Sequence, residues 1–291
     1  MPSLYERFRP VLAQLPVEQF RNPPPVVPVI RLSGPIGQIG VLRSGLALSR
    51  LAGVIERAFS ATDLKAVALV INSPGGSAVQ SALIAKRIRD LATEKNVPVY
   101  AFVEDVAASG GYWLACAADE IYVNASSIVG SIGVISSSFG FTALIDKIGV
   151  TRRVYTAGDK KMMLDPFQPE DPEDVERLQN LQREIHGNFQ AWVRERRGIR
   201  LRGLDSDLFS GEFWSGARAV ELGLADGIDD LRAHMRRRFG EKVKLRVIGA
   251  PTSWLRRWLG PHTGQTLLPE SWADDLVSTV EARAMWSRYG L

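Results

Sequence analysis

The sequence has few of the residues that bind metal ions or form disulfides. Its 291 residues include one cysteine, Cys116, and three histidines, His186, His234 and His262. A single cysteine excludes an internal disulfide and is typical of a reducing compartment. Because Cys116 lies in an apolar run, we expect it to be a buried core thiol. The histidines lack the spacing of metal ligands, so the sequence predicts neither a metal ion nor another cofactor.

Long apolar runs are missing as well. No uninterrupted run approaches the roughly 20 residues of a membrane span, and residues 1–25 contain no signal-peptide core. We therefore expect a cytoplasmic protein, with peripheral contact at the inner membrane as a further option.

Strong charge of one sign is also absent, since the net charge is only +4. The basic excess lies in residues Leu231–Arg257 without any nucleic-acid recognition motif. We expect a solvated basic face and no nucleic-acid partner, with attraction to an anionic membrane surface as the alternative.

The chain is long enough for one large domain with appendages. We predict a helical arm with a proline-rich linker over residues 1–25, a main domain over residues 26–248 and a tail over residues 249–291. The tail contains four tryptophans, Trp254, Trp258, Trp272 and Trp286. We expect these tryptophans to pack on a neighbouring protomer, with covering of the site or contact with lipid as alternatives.

Strand and helix patterns alternate in the first half of the chain. Apolar runs at Val26–Leu32, Ala66–Ile71 and Val97–Val103 predict strands, and periodic segments at Leu46–Phe59 and Ala78–Lys95 predict helices. The run Ala66–Ile71 is apolar on both faces, as in a central parallel strand. Successive strand–helix units predict an α/β fold with a parallel sheet.

Two further patterns refine this outline. Pro28 lacks an N–H, so the first strand is predicted to lie at a sheet edge. The segment Pro172–Gly198 is predicted to be a long helix. Its expected apolar stripe consists of Leu178, Leu181, Ile185, Phe189 and Trp192.

Ser109 follows the third predicted strand and precedes a glycine pair and a short apolar helix. This arrangement holds a hydroxyl where free backbone N–H groups favour negative charge, so Ser109 is a candidate nucleophile. The alternative is an ordinary helix N-cap. Gly75, Gly76 and Gly110 are candidate oxyanion donors, because parallel strands place their following turns at one sheet edge. For the glycine pair, the alternative is a tight turn with no ligand.

A serine nucleophile needs a base, and no histidine occurs between Ser109 and Tyr155. His186 falls among the polar positions of the long helix, which disfavours a Ser-His-Asp triad. A neutral lysine is the other option, and Lys160 or Lys161 precedes a short apolar segment. The alternative for this pair is a solvated loop.

Four motifs occur together in order: Asn72-Ser-Pro-Gly-Gly76, Ala108-Ser-Gly-Gly-Tyr112, Gly130-Ser-Ile-Gly-Val134 and Gly158-x-x-Lys161. With the later segment Phe209–Gly227, they resemble the signal peptide peptidase A/SohB family of serine peptidases, family S49. The resemblance covers residues Val26–Leu231, and joint occurrence makes it more specific than any one motif. It implies a ClpP/crotonase-type superhelix of βαβ units with a parallel central sheet, formed by the peptidase domain, residues 26–248.

The resemblance also implies residue roles. Ser109 matches the nucleophile, Lys161 the general base and Ser131 a serine that orients the lysine. Gly75 or Gly76, with Gly110, would form the oxyanion hole.

The implied partners and substrates follow from the same resemblance. Members form homo-oligomeric rings or domes in which the serine and lysine of one site can come from neighbouring protomers. Their substrates are extended, mostly apolar peptides, including signal-peptide remnants, which are cleaved through an acyl-enzyme. Two other interpretations stay open: an enoyl-CoA hydratase-like enzyme, which needs carboxylates for proton transfer, and a non-catalytic scaffold.

Overall fold

The computed structural model describes residues 23–39, 43–158, 160–249, 280 and 283–290. The helix expected within residues 1–19 and the tail residues 250–279 lie outside the described residues. The strands are β1 Val26–Ser33, β2 Gln38–Ile39, β3 Arg43–Ser44, β4 Val67–Ser73, β5 Val99–Ala108, β6 Glu120–Val123, β7 Ile128–Gly130, β8 Phe213–Ser215, β9 Gly227–Ile228 and β10 Lys244–Val247. The helices are α1 Leu48–Phe59, α2 Ala78–Lys95, α3 Gly110–Ala115, α4 Thr142–Lys147, α5 Pro172–Arg197, α6 Asp205–Leu208, α7 Gly216–Glu221 and α8 Leu231–Phe239.

One sheet organises the main domain, with strand order β10-β1-β4-β5-β6-β9. Every neighbouring pair on this path is parallel, and β7 joins the far end of β5 in parallel as well. Strand β8 pairs antiparallel with β7, and β2 and β3 pair antiparallel in a separate two-stranded sheet. The predicted α/β class with a parallel central sheet, as in the ClpP/crotonase type, is confirmed.

Both faces of the sheet are covered, which is why its central strands are apolar throughout. Helices α1, α2 and α3 pack on one face over side chains such as Leu69 and Ile71. Helix α8 covers part of the other face, where Met235 is fully buried beside Tyr100 and Phe102. The arginines of the last turn of α8 stay exposed.

The prediction that the first strand lies at an edge is wrong. Strand β1 pairs with β4 on one side and β10 on the other, and β10 is the outer strand. The ladder to β4 begins at Val29, immediately after Pro28. Pro28 itself lies opposite Arg246 in the ladder to β10, so a proline does not exclude an inner position for this strand.

Helix α5 matches the predicted span, but its apolar stripe is only partly buried. Phe189 and Val193 are buried near its carboxyl end, whereas Leu181 is 52% exposed. Tertiary contact therefore covers only the second half of the stripe in the single chain.

Across the described parts of the chain, no helix has the length and apolar character that a bilayer crossing requires.

Candidate active site

Ser109 lies at the turn between β5 and α3 in a strained backbone conformation. Its φ is +53° and its ψ is −121°, a region that residues with a Cβ rarely adopt. Its N–H donates to the carbonyl of Gly130 at 2.8 Å, and its carbonyl accepts from the N–H groups of Tyr112 and Trp113 at 3.0 Å each. The hydroxyl makes no capping hydrogen bond to α3. The backbone therefore holds this residue, and its hydroxyl has no hydrogen-bond partner among the described residues.

The glycine turn after β4 lies directly against Ser109. A Cβ on Gly75 would approach the Cβ of Ser109 to 2.8 Å, so only glycine fits this position at its φ of +101°. The N–H of Gly75 donates to Ser73 Oγ at 3.3 Å. Within the described residues, no hydrogen bond takes the N–H of Gly76 or of Gly110. These unpartnered donors can bind an oxyanion.

Ser131 lies on the loop after β7, also with a left-handed φ, of +52°. Its N–H donates to the carbonyl of Glu212 at 2.6 Å. Its Oγ lies 3.4 Å from the hydroxyl of Tyr289, which is oriented to donate to it. The Tyr289 ring packs edge-on against Phe213 with 5.2 Å between centroids. Part of the predicted tail therefore contacts the proposed lysine-orienting serine.

Ser109, Gly76, Gly110 and Ser131 all line one cleft of about 740 Å³. Its apolar walls come from Trp113, Val134, Ile135, Ile185 and Met285. No aspartate or glutamate occurs among the described residues that line it, and its cationic side chain is Arg288 of the tail. The cleft thus combines a free hydroxyl, free amide donors and apolar surface.

His186 also lines this cleft, but its ring nitrogens have other partners. Its Nε2 lies 3.0 Å from the carbonyl oxygen of Ile132, which can only accept, so Nε2 carries the proton. The side-chain nitrogen of Gln190 lies 3.4 Å from Nδ1 and 3.2 Å from Nε2 of the same ring. In this arrangement His186 is bonded to the loop that follows Ser131 rather than to Ser109.

The two lysines lie on a largely exposed segment, the described residues 134–158 and 160–168, which we call the arm. Lys160 and Lys161 are both exposed, and Lys160 Nζ forms an exposed ion pair with Glu173 at 2.9 Å. Neither lysine lines the cleft of Ser109. The single chain does not bring Lys161 to Ser109, and the dyad stays a prediction.

Cys116 takes no part in this site. Burial raises the pKa of its thiol to about 12, so the thiol is protonated at neutral pH. The expectation of a core thiol is confirmed.

Trp113 and Tyr289 also line the cleft. No sequence pattern predicts this, since neither residue stands in a motif of reacting residues.

Comparison with known proteins gives a peptidase family model, relatives with protease names and a relative with an antiporter name. The model of peptidase family S49 matches residues 92–244. A Brucella abortus protein named Na(+)/H(+) antiporter NhaA is 50% identical over 298 residues, which cover 100% of this chain and 39% of that protein. The chloroplastic serine protease SPPA of Arabidopsis thaliana is 31% identical over 222 residues, which cover 69% of this chain and 32% of that protein.

Protease 4 of Haemophilus influenzae is 30% identical over 223 residues, which cover 76% of this chain and 36% of that protein. The chain therefore spans between about a third and two fifths of the length of these relatives.

Proposed function

The chain belongs to peptidase family S49, and on this premise we propose that it is a serine endopeptidase with Ser109 as nucleophile. The observation that supports this most strongly is the free hydroxyl of Ser109 in one cleft with the unpartnered N–H groups of Gly76 and Gly110. Of the two glycines considered after β4, we assign the oxyanion role to Gly76, because Ser73 Oγ already takes the N–H of Gly75. The backbone strain at Ser109 fits this role, since strained residues cluster at active sites.

We further propose that Lys161 of a neighbouring copy is the general base, so that a homo-oligomer completes the site. The arm that carries Lys161 exposes large apolar side chains, among them Ile135 at 64%, Phe139 at 79% and Tyr155 at 91%. A concentration of exposed apolar residues on one segment is typical of a protein interface. Enclosure in such an interface would also favour the neutral amine that a base requires.

The proposed reaction proceeds through an acyl-enzyme. Neutral Lys161, held by Ser131 Oγ, takes the hydroxyl proton of Ser109 as Oγ bonds to the substrate carbonyl carbon. The N–H groups of Gly76 and Gly110 bind the oxyanion of the tetrahedral intermediate. The lysine then protonates the leaving amine as the peptide C–N bond breaks, and water, deprotonated by the same lysine, hydrolyses the ester.

The substrates proposed are extended, mostly apolar peptides. The side chains of Trp113, Ile185 and Met285 give the cleft an apolar wall, and the segment after Ser131 carries Val134 and Ile135 along it without pairing in the sheet. An extended peptide could pair with this segment by main-chain hydrogen bonds. We propose that the protein meets these peptides in the cytoplasm, in contact with the inner membrane surface.

The cleft argues against the hydratase-like alternative. That chemistry needs carboxylates to move protons to and from water, and no aspartate or glutamate lines the cleft within the described residues. The scaffold alternative differs in its prediction for Ser109, because a scaffold would not form a covalent adduct with a fluorophosphonate at this residue.

Co-expression of two inactive variants tests whether the base comes from another copy. We expect Ser109→Ala and Lys161→Ala each to be inactive alone. In a mixed oligomer, half the sites keep Ser109 and half of those border a copy with Lys161, so about a quarter of wild-type activity should return. The measurement is cleavage of a quenched fluorescent peptide by doubly tagged oligomers.

The matched control is Lys160→Ala, which should keep wild-type activity because this lysine is paired with Glu173. Mixed oligomers without any recovered activity would instead place serine and lysine in one protomer. Loss of activity in Lys160→Ala but not in Lys161→Ala would show that the base is Lys160.

Tyr289→Phe is expected to raise kcat/KM for peptide cleavage. The Tyr289 hydroxyl contacts the Oγ of Ser131 that the proposed lysine would use, and a hydrogen bond this long has the lower worth, about 0.5 kcal/mol, which corresponds to roughly twofold. The ring contact with Phe213 would be kept. Arg283→Ala, an exposed change on the same segment, serves as the control. A lower rate for Tyr289→Phe would mean that the hydroxyl supports the active arrangement.

A further inference from the structure

Strand β5 changes its neighbour halfway along its length. Residues Tyr100–Val103 pair with β6, whereas Val106–Ala108 pair with β7. The second half delivers Ser109, whose N–H then reaches the carbonyl of Gly130. The position of the nucleophile therefore depends on how β5 passes from one neighbour to the other.

This change of neighbour coincides with a β-bulge against β4. Ile71 is opposite Val103, but Ser73 is opposite Ala107, so β5 contains two more residues than β4 between these pairs. A bulge bends its strand and leaves backbone groups without ladder partners. The bulge ends only a few residues before Ser109, so a small change in its geometry would move the hydroxyl.

The side chain of Asn72, on β4, bridges the bulge. Its Nδ2 donates to Asp105 Oδ2 at 2.6 Å, and its Oδ1 accepts from the N–H of Val106 at 3.3 Å. An amide supplies both the donor and the acceptor that these two groups require. The hydrogen bond to a carboxylate is of the stronger, charge-assisted kind.

The other bulge residue, Glu104, is held from two further sides. Arg31 of β1 lies 2.7 Å from each of its carboxylate oxygens, and Ser127 Oγ donates to its carbonyl at 2.6 Å. Asn72 adds a side-chain restraint at the end of the bulge nearer Ser109, where Val106–Ala108 begin their ladder with β7.

We propose that Asn72 is a positioning residue for Ser109. Its backbone leads through Ser73 and Pro74 into Gly75 and Gly76, while its side chain fixes β5 at Val106. One residue thus links the strand that carries the nucleophile to the turn that supplies an oxyanion donor. This inference rests on the proposed function, because it concerns the alignment of the Ser109 hydroxyl with the Gly76 and Gly110 amides.

Exchanging the side chains of Asn72 and Asp105 tests whether their hydrogen bond positions Ser109. Asn72→Asp places a carboxylate against Asp105, and we expect kcat for peptide cleavage to fall about 10- to 100-fold with KM within about twofold. Asp105→Asn keeps an acceptor for Asn72 Nδ2 and should stay within about threefold of wild type. In the double variant Asn72→Asp/Asp105→Asn, the new amide at position 105 donates to the new carboxylate at position 72, which still accepts from the N–H of Val106. The value of kcat should therefore return to within about threefold of that of Asp105→Asn.

Two further measurements separate positioning from stability. Hydrogen exchange of the amides of residues 106–109, which needs no activity, should be faster in Asn72→Asp and should slow again in the double variant. Asp105→Ala, a change at an exposed side chain, should lower kcat severalfold with little change in the thermal unfolding midpoint. The control for a lost surface carboxylate is Asp90→Asn, which should behave as wild type.

The inference is overturned if Asn72→Asp keeps wild-type kcat, or if the double variant stays as slow as Asn72→Asp while both remain folded. Unchanged hydrogen exchange at residues 106–109 would overturn it as well. Failure of the proposed function gives a different result, because the wild-type protein would then show no cleavage that depends on Ser109.

Discussion

Ser109→Ala should abolish peptide cleavage while leaving the fold intact. The change removes only the hydroxyl, which forms no capping bond in the structure, and keeps the Cβ at the same strained φ of +53°. The free energy of unfolding should therefore change by less than about 0.5 kcal/mol. Loss of the nucleophile of a serine peptidase lowers kcat by several orders of magnitude, and we expect at least about 10⁴-fold here.

The measurement is the rate of peptide cleavage together with labelling by a fluorophosphonate probe, and both should disappear in Ser109→Ala. Ser126→Ala, a change at an exposed serine outside the cleft, is the matched control and should leave both unchanged. Cleavage that persists in Ser109→Ala would refute the proposed nucleophile, and labelling that persists in Ser109→Ala would show that the probe reacts at another residue.

Asp226→Ala should cause the largest loss of stability among the changes considered, about 3–5 kcal/mol in the free energy of unfolding. The side chain of Arg197 is only 1% exposed and donates to both carboxylate oxygens of Asp226, at 2.7 and 3.1 Å. Asp226 also accepts the N–H of Ile121 at the start of β6, at 2.7 Å. The alanine variant would leave a buried cation and a backbone donor without this carboxylate.

Urea unfolding followed by circular dichroism measures this loss. Asp205→Ala removes a comparable carboxylate from an exposed ion pair with Arg194, and we expect it to change stability by less than about 0.5 kcal/mol. A loss below about 1 kcal/mol for Asp226→Ala would mean that water or another group solvates Arg197 in the variant.

This ion pair also lies behind the candidate site. Helix α3, which follows Ser109, carries Tyr112, and the Tyr112 hydroxyl donates to the carbonyl of Leu224 at 2.8 Å. Leu224 and Asp226 belong to the same turn, so the Arg197–Asp226 pair anchors the segment on which α3 rests. A partial loss of peptide cleavage at raised temperature should therefore accompany the loss of stability.

The sequence alone determined the elements whose signals are local. Apolar runs long enough for buried strands, the apolar period of Ala78–Lys95 and the glycines around Ser109 each act on neighbouring residues, so they predict their elements with small errors at the ends. The candidate nucleophile and the glycine turns were found in the same way, because tight turns demand particular residues at fixed spacing.

Features that depend on the pairing of distant residues appear only in the folded chain. The inner position of β1, the bulge that Asn72 bridges, the contact of Tyr289 with Ser131 and the exposed position of Lys161 all join residues far apart in the chain. Local periodicity reports which face of a strand or helix is apolar, but not which element covers it. The physical reason is that these contacts arise from the packing of the whole fold, and no short stretch of sequence contains both partners.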